Sequence, residues 1–410
     1  MRILQVIPFF SPQMGGSAQA AYHMAKNLGL RGHRVTVLTG DYAQQRARFH
    51  DGPFEVVSVP NWFCVQGFYV TPGMYSWAKK NISHFDIVHL HITRTFQNII
   101  LQSLAVHHRV PYVMTAHGTL PRIDRMQAAK RIFDWFFGRN IFVHAQRWIA
   151  VTPLEAEQFG AAGIPAERIR IIGYGLDLEE YADLPQKGMF RSTVPGLKKE
   201  TKILLAMSRL HKIKGLDFLI EGFSRLPLDR DAYRLVIVGP DEGELVRLQS
   251  LARKRGVAQA VHFAGPLYGP DRLKALVDAD LFLSTSRYEI TGLSSFEALM
   301  CGTPVLVTRE CGQGRLIEDS RAGYLVPFGD ADCLASTILG ALGDRKEAIR
   351  KVHAGQKYVR KQMDWRRKTD KLIGVYREIA AGKGTANPEK HLPCGINEKK
   401  QDRPIRRSQA

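Results

Sequence analysis

Between residues 287 and 305 the chain reads RYEITGLSSFEALMCGTPV, and two carboxylates, Glu289 and Glu297, stand eight positions apart around Gly292. The apolar run 280–284 (DLFLS) before it has the length of a buried strand, and Gly302 suits the left-handed end of a helix. The order is therefore strand, loop, short helix, strand. A helix start leaves backbone N–H groups near Gly292, Leu293 and Ser294 without partners, which favours a phosphate. N–H donors for phosphate beside two carboxylates for hydroxyls suit a nucleotide-sugar. Glu297 has a second reading, as the capping-box partner of Ser294, because Ser-x-x-Glu before an apolar run is that signature. On this stretch alone both readings stay open.

Other candidates lie at the ends of apolar runs. Directly after 202–207 comes Ser208-Arg209-Leu210-His211-Lys212-Ile213-Lys214-Gly215. A guanidinium fork and a lysine point charge at a strand's carboxyl end can hold a diphosphate from two sides. The plainer reading is a solvated basic loop. Near the start, Gly15-Gly16 separates a strand at 2–7 from a helix running to about 30, and a glycine pair there lets a ligand approach the backbone. His117 follows the strand 111–115, and in open α/β sheets ligands bind beyond the carboxyl ends of strands. His89 and His91 share a strand face without a third metal ligand at usable spacing, and read as strand-end residues.

Together these segments resemble the family 4 retaining glycosyltransferases. The matching motifs are Glu289-x7-Glu297 with Cys301-Gly302-Thr303-Pro304-Val305, Arg209-x4-Lys214-Gly215, Thr115-x-His117-Gly118, and Gly15-Gly16 with Gly32-His33-x-Val35-x-Val37. The resemblance covers roughly residues 1–380. Where the family commonly has Gly-Phe after the first glutamate, this chain has Ile290-Thr291, and Gly292 stands where a second glycine is expected. The resemblance implies the GT-B fold, two Rossmann-like parallel-sheet domains facing across a cleft. It implies a nucleotide-diphospho-sugar donor, with the sugar passing to an acceptor hydroxyl with retained configuration. Arg209 and Lys214 would then stabilise the leaving diphosphate in place of a metal, so that neither a cofactor nor an obligatory cation is expected. Glu289 would hold sugar hydroxyls, Glu297 the ribose diol, and His117 would steady the sugar, while Gly15, Gly16, Gly292 and Leu293 offer backbone to the donor. His33 reads as structural. The acceptor is expected to be a glycan or lipid-linked glycan of cell-surface polysaccharide synthesis. A sugar-nucleotide epimerase or a phosphorylase on the same architecture is the nearest other enzyme.

The elements that must position these residues alternate. A second βαβ series begins at 202 and continues through strands at 234–238, 261–263, 281–284, 304–307 and 323–326. With 410 residues and 45% hydrophobic composition the chain can bury more than one core, and its length suggests two domains. The expected boundaries are a first domain over 1–182, a linker over 183–200 marked by Pro185, Gly188, Pro195 and Gly196, and a second domain over 201–363. A helix over 364–380 returns to the first domain, as the resemblance implies, and a basic, disordered tail occupies 381–410. Lys plus Arg number 58 against 39 for Asp plus Glu, a net +19 that favours nucleotides, nucleic acid or an acidic membrane surface. No zinc-finger spacing or aromatic-rich RNA motif supports nucleic acid as a partner. Five scattered cysteines with no Cys-x-x-Cys fit the reducing cytoplasm. A single Arg2 and Pro8 within the first apolar run speak against a secretory signal.

The segment KRIFDWFFGRNIFVH, 130–144, lies in an expected helix over 122–144. At 100° per residue Ile132, Phe133, Phe136, Phe137 and Ile141 form a core stripe. Trp135 and Phe142 project to the other side beside Arg131 and Arg139. That second face suits the headgroup region of an anionic bilayer, which would make the protein peripheral on the inner face of the membrane. Alternatively it is covered by the aromatic loop 61–77.

Overall fold

The computed structural model describes residues 1–10, 15–41, 52–65, 67–123, 126–194, 196–198, 200–227 and 232–382. The expected tail therefore falls almost wholly outside the described residues. The chain divides into two compact units, one of Met1–Tyr174 with the chain from Trp365 on, the other Gly175–Asp364.

The first unit contains strands β1 (Arg2–Ile7), β2 (Arg34–Asp41), β3 (Glu55–Pro60), β4 (Phe63–Val65), β5 (Phe68–Val70), β6 (Ile87–His91), β7 (Tyr112–Thr115), β8 (Arg147–Ala150) and β9 (Ile169–Ile171). Seven of them form a parallel sheet in the order β3-β2-β1-β6-β7-β8-β9, and β4 with β5 makes an antiparallel hairpin. The strands read as unbroken apolar runs because helices cover both sheet faces; in β1, Ile3, Leu4, Val6 and Ile7 are all fully buried. The order reverses between β1 and β6, which opens a crevice beyond their carboxyl ends. Strand β3 and the hairpin were not expected from the sequence.

The expected continuous helix over 122–144 breaks into Gln127–Phe133, a π turn Asp134–Gly138, and Arg139–His144. The first segment buries none of its residues. A π turn carries an extra residue and so rotates everything after it. Asp134, 2% exposed, points inward to the guanidinium groups of Arg94 at 2.8 Å and Arg122 at 3.1 Å. The face assignment is therefore corrected. Phe142 is core, its ring 5.2 Å from that of Trp148, whereas Ile132, Phe136 and Phe137 are exposed together with Trp135. Ile141 is buried as expected. The hairpin covers Phe133, 6.2 Å from Phe68, and leaves Trp135 77% exposed.

The second unit contains β10 (Lys202–Met207), β11 (Tyr233–Val238), β12 (Val261–Gly265), β13 (Leu281–Ser284), β14 (Val305–Thr308) and β15 (Tyr324–Val326), all parallel, in the order β12-β11-β10-β13-β14-β15. The order again reverses between two central strands, here β10 and β13. Both halves are thus α/β with parallel sheets, as expected.

The described residues of 183–200 do not behave as a free linker. Phe190 and Val194 sit in the core of the second unit, and the Asp278 carboxylate accepts the N–H groups of Gly188 at 2.5 Å, Phe190 at 2.8 Å and Arg191 at 2.8 Å. The proline and glycine content suggested a linker, but the anchoring carboxylate lies some 90 positions away, beyond local pattern. The division falls at Tyr174/Gly175 and Asp364/Trp365. The helix Trp365–Ala380 packs on Gly16–Leu30: Trp365 stacks on His23 at 5.6 Å, and Asp370 meets Arg31 at 2.6 Å. Among the described residues no helix is long and apolar enough to cross a membrane.

Candidate functional site

In the second unit the loops after β10 and β13 are pinned to one another. Gly215, at φ +61°, has no room for a Cβ, which would collide with the Thr285 carbonyl. The Thr285 hydroxyl donates to the Gly215 carbonyl at 3.1 Å, and the Arg287 N–H donates to the Ile213 carbonyl at 2.8 Å. This brings Lys214 Nζ onto a Glu289 carboxylate oxygen, 75 residues apart in sequence, with both side chains largely shielded. The expected cation and the expected sugar-binding carboxylate are therefore direct partners. Arg209 leaves the end of β10 and is held by both oxygens of Glu242 at 2.8 and 2.7 Å. Gly239 permits this approach, since a Cβ there would strike the Ser208 carbonyl. Glu242 carries no sequence signal that marks it as the partner of Arg209.

Gly292 is the N-cap of the helix Leu293–Met300, at φ +63°, and no side chain caps that helix start. Its missing Cβ makes room for Gln313, whose carboxamide accepts from Ser284 Oγ at 3.0 Å and donates to Ser295 Oγ. Gln313 is a site-shaping residue that the sequence did not single out; the glycines on both sides of it, Gly312 and Gly314, were the available signal, because each is pressed against backbone carbonyls. Glu297 is buried and pairs with Arg272, which also holds Glu180 at 2.8 Å. The capping-box reading of Glu297 with Ser294 is not what forms: the cap is Gly292, two residues before Ser294, and the Glu297 carboxylate goes to another helix.

In the first unit Gly15 caps the helix Gly16–Leu30 at φ +97°, without a side-chain cap. Among the described residues a Cβ at Gly15 or Gly16 would meet nothing within 4 Å. His117 follows β7 in a left-handed turn, φ 55°, with Gly118 at φ 78°. Its ring stacks on His91 at 5.1 Å, and His91 stacks on His89 at 4.2 Å. His117 Nε2 meets His91 Nδ1 at 2.8 Å and its Nδ1 meets the Tyr174 hydroxyl at 2.5 Å. His89 bonds Tyr376 at 2.6 Å and Thr115 at 2.7 Å. Burial holds the imidazoles of His89 and His117 down to about 3 and that of His91 well below its ordinary value, so all three are neutral near pH 7. Both ring nitrogens of His117 are thus engaged, and a sugar hydroxyl reaching Nδ1 must displace Tyr174. The sequence placed His89 and His91 at a strand end but not in an array with His117, and it gave Tyr174 and Tyr376 no role.

Residues 14–180 match the family Glycosyltransferase Family 4, and residues 191–358 match Glycosyl transferases group 1. The chain is 28% identical over 360 residues to a D-inositol 3-phosphate glycosyltransferase of Saccharomonospora viridis, covering 82% of this chain and 80% of that one. Its fold is similar to that of Anabaena Alr3699/HepE solved with UDP and glucose, with a TM-score of 0.78 at 20% identity, over 92% of this chain and 100% of that one. It is also similar to that of WaaG, a glycosyltransferase involved in lipopolysaccharide biosynthesis, with a TM-score of 0.71 at 21% identity, over 91% and 99% of the two chains.

Proposed function

We propose that this chain, which belongs to the family 4 glycosyltransferases of GT-B fold, transfers a sugar from a nucleotide-diphospho-sugar to an acceptor hydroxyl with retention of configuration. The observation that supports this reading is the pairing of Lys214 with Glu289 at the carboxyl ends of β10 and β13, with Arg209 on the same β10 loop. A donor diphosphate would take Lys214 from Glu289 and Arg209 from Glu242. It would leave the Glu289 carboxylate to accept hydrogen bonds from the sugar. The bond from the anomeric carbon to the diphosphate oxygen breaks with its electron pair on that oxygen, and the two cations stabilise the growing charge. The acceptor oxygen bonds the anomeric carbon on the same face, and its proton passes to the departing diphosphate. The charge is supplied by Arg209 and Lys214, so no metal ion is required in this scheme. Glu297, with one oxygen on Arg272, would receive the ribose diol with the other.

The acceptor we propose is a glycan or lipid-linked glycan. The exposed side chains of Ile132, Trp135, Phe136 and Phe137, flanked by Arg131 and Arg139, support contact with an anionic bilayer, where the protein would be peripheral on the cytoplasmic face. The name of the inositol-phosphate relative supplies the rival acceptor, a small phosphorylated polyol. The test begins with thermal shift against UDP-, GDP- and ADP-sugars, UDP-glucose first. Product from the stabilising donor, made on lipid-linked glycan or on D-inositol 3-phosphate, is then read by proton NMR of the anomeric coupling. No stabilisation by any nucleotide-sugar, or product of inverted configuration, refutes the reading.

A further inference from the structure

The helix Pro153–Ala161 opens with Thr152, whose Oγ1 accepts the Glu155 N–H at 3.3 Å, and Thr-x-x-Glu is a capping-box sequence. In such a box the acidic residue serves only its own helix start, and glutamine does as well. The Glu155 carboxylate does something else. Oε2 accepts the Val151 N–H at 2.7 Å, while Oε1 accepts the N–H of Gly118 at 2.5 Å, 37 residues away. The residue is fully buried. Burial raises its carboxyl to about 7, against the pull of the two backbone N–H groups, and no cation contributes. A buried carboxylate without a counter-ion is costly, and a helix cap alone does not require one.

What the carboxylate holds is the turn that carries His117. His117 and Gly118 both lie in the left-handed region, which is uncommon for a residue other than glycine. The ring is fixed at its two nitrogens by His91 and Tyr174, and Glu155 fixes the backbone immediately after it. We infer that Glu155 is a positioning residue for sugar transfer, whose carboxylate fixes the His117-Gly118 turn at the carboxyl end of β7. This rests on the sugar transfer proposed above and on the role that the family resemblance implies for His117. The residues used all lie within one unit, so the geometry is internal to it.

Glu155→Gln is the discriminating variant, because glutamine preserves a capping box but offers one acceptor oxygen for two N–H groups. Turnover of the donor found in the nucleotide-sugar panel should fall roughly ten- to a hundredfold, as expected for a misplaced reacting group, while binding of that donor's free nucleoside diphosphate is unchanged. In a His117→Ala background the same substitution should cost nothing further. The imidazole nitrogen resonances of His117 should move in Glu155→Gln without any donor present. Unmoved resonances, an undiminished turnover, or a Glu155→Gln loss that persists without His117 each overturn the inference. Failure of the underlying reading looks different: Arg209→Ala, Lys214→Ala and His117→Ala would all leave turnover intact. An unchanged melting temperature with normal turnover assigns Glu155 to helix capping alone and also overturns it.

Discussion

Arg209→Ala separates a functional cation from a structural one. Arg209 and Glu242 are 49% and 37% exposed, so their ion pair is a surface bridge worth ~0.2–1 kcal/mol. In a unit of this size that is a fall in melting temperature of about 2–4 °C at most. Loss of a charge donor from the developing diphosphate is worth ~3–4 kcal/mol, which is about two to three powers of ten in turnover. The two effects therefore differ by several fold in free energy and are read by different instruments. Calorimetry of Arg209→Ala should show a nearly unchanged transition, while steady-state release of nucleoside diphosphate falls by about a hundredfold or more. Glu242→Ala is the companion. It removes the residue that occupies Arg209 in this structure, so it should preserve turnover and lower the donor KM. Unchanged turnover in Arg209→Ala refutes the assignment. So does an equal loss in both variants, since it would make the ion pair, and not the free guanidinium, the functional element.

The remaining expectations concern other parts of the chain. Glu297→Ala should weaken binding of free nucleoside diphosphate, whereas Glu289→Ala should spare it and damage transfer; calorimetric titration beside turnover distinguishes the two, and equal losses would contradict the division. Asp134→Ala strips the shared partner from two shielded arginines, Arg94 and Arg122, and should cost roughly 3–5 kcal/mol in urea unfolding. Trp135→Ser with Phe136→Ser should abolish co-sedimentation with phosphatidylglycerol vesicles while leaving donor hydrolysis in solution unchanged, because both rings are exposed and neither completes the core. Stability should fall with acidification. His89 and His117 titrate near 3 when folded and near 6.5 when unfolded, so the unfolded state binds more protons between those values and the stability present above 6.5 is lost toward 3. Glu155, raised from 4.5 to about 7, has the opposite sign and offsets part of this, since its folded form holds a proton that the unfolded form has released. Melting temperatures from pH 7 to 4 should therefore drop, and less steeply in His89→Gln.

The sequence determined the elements that bear the motifs, because strands buried on both faces must be apolar throughout and glycines must stand where the backbone turns left. Runs such as 202–207 and 281–284 needed no tertiary information, and Arg209, Lys214, Glu289 and His117 follow such runs directly. Gly292 likewise announced a helix start. Tertiary structure decided which of these residues meet. Lys214 reaches Glu289 only because β10 and β13 are neighbours at the reversal of strand order. Glu297 turned from the local cap to Arg272, since an ion pair from an adjacent helix outcompeted a same-helix contact. Likewise Asp278 drew 188–191 into the core of the second unit. The helix over 130–144 shows the difference most plainly. A 100° wheel assumes that every residue adds the same rotation, but a buried carboxylate bound by Arg94 and Arg122 accompanies a π turn at Asp134. That rotation places Phe142 in the core and Phe136 in solvent. Local pattern fixes what a segment can become, and partners distant in sequence fix which way its side chains face.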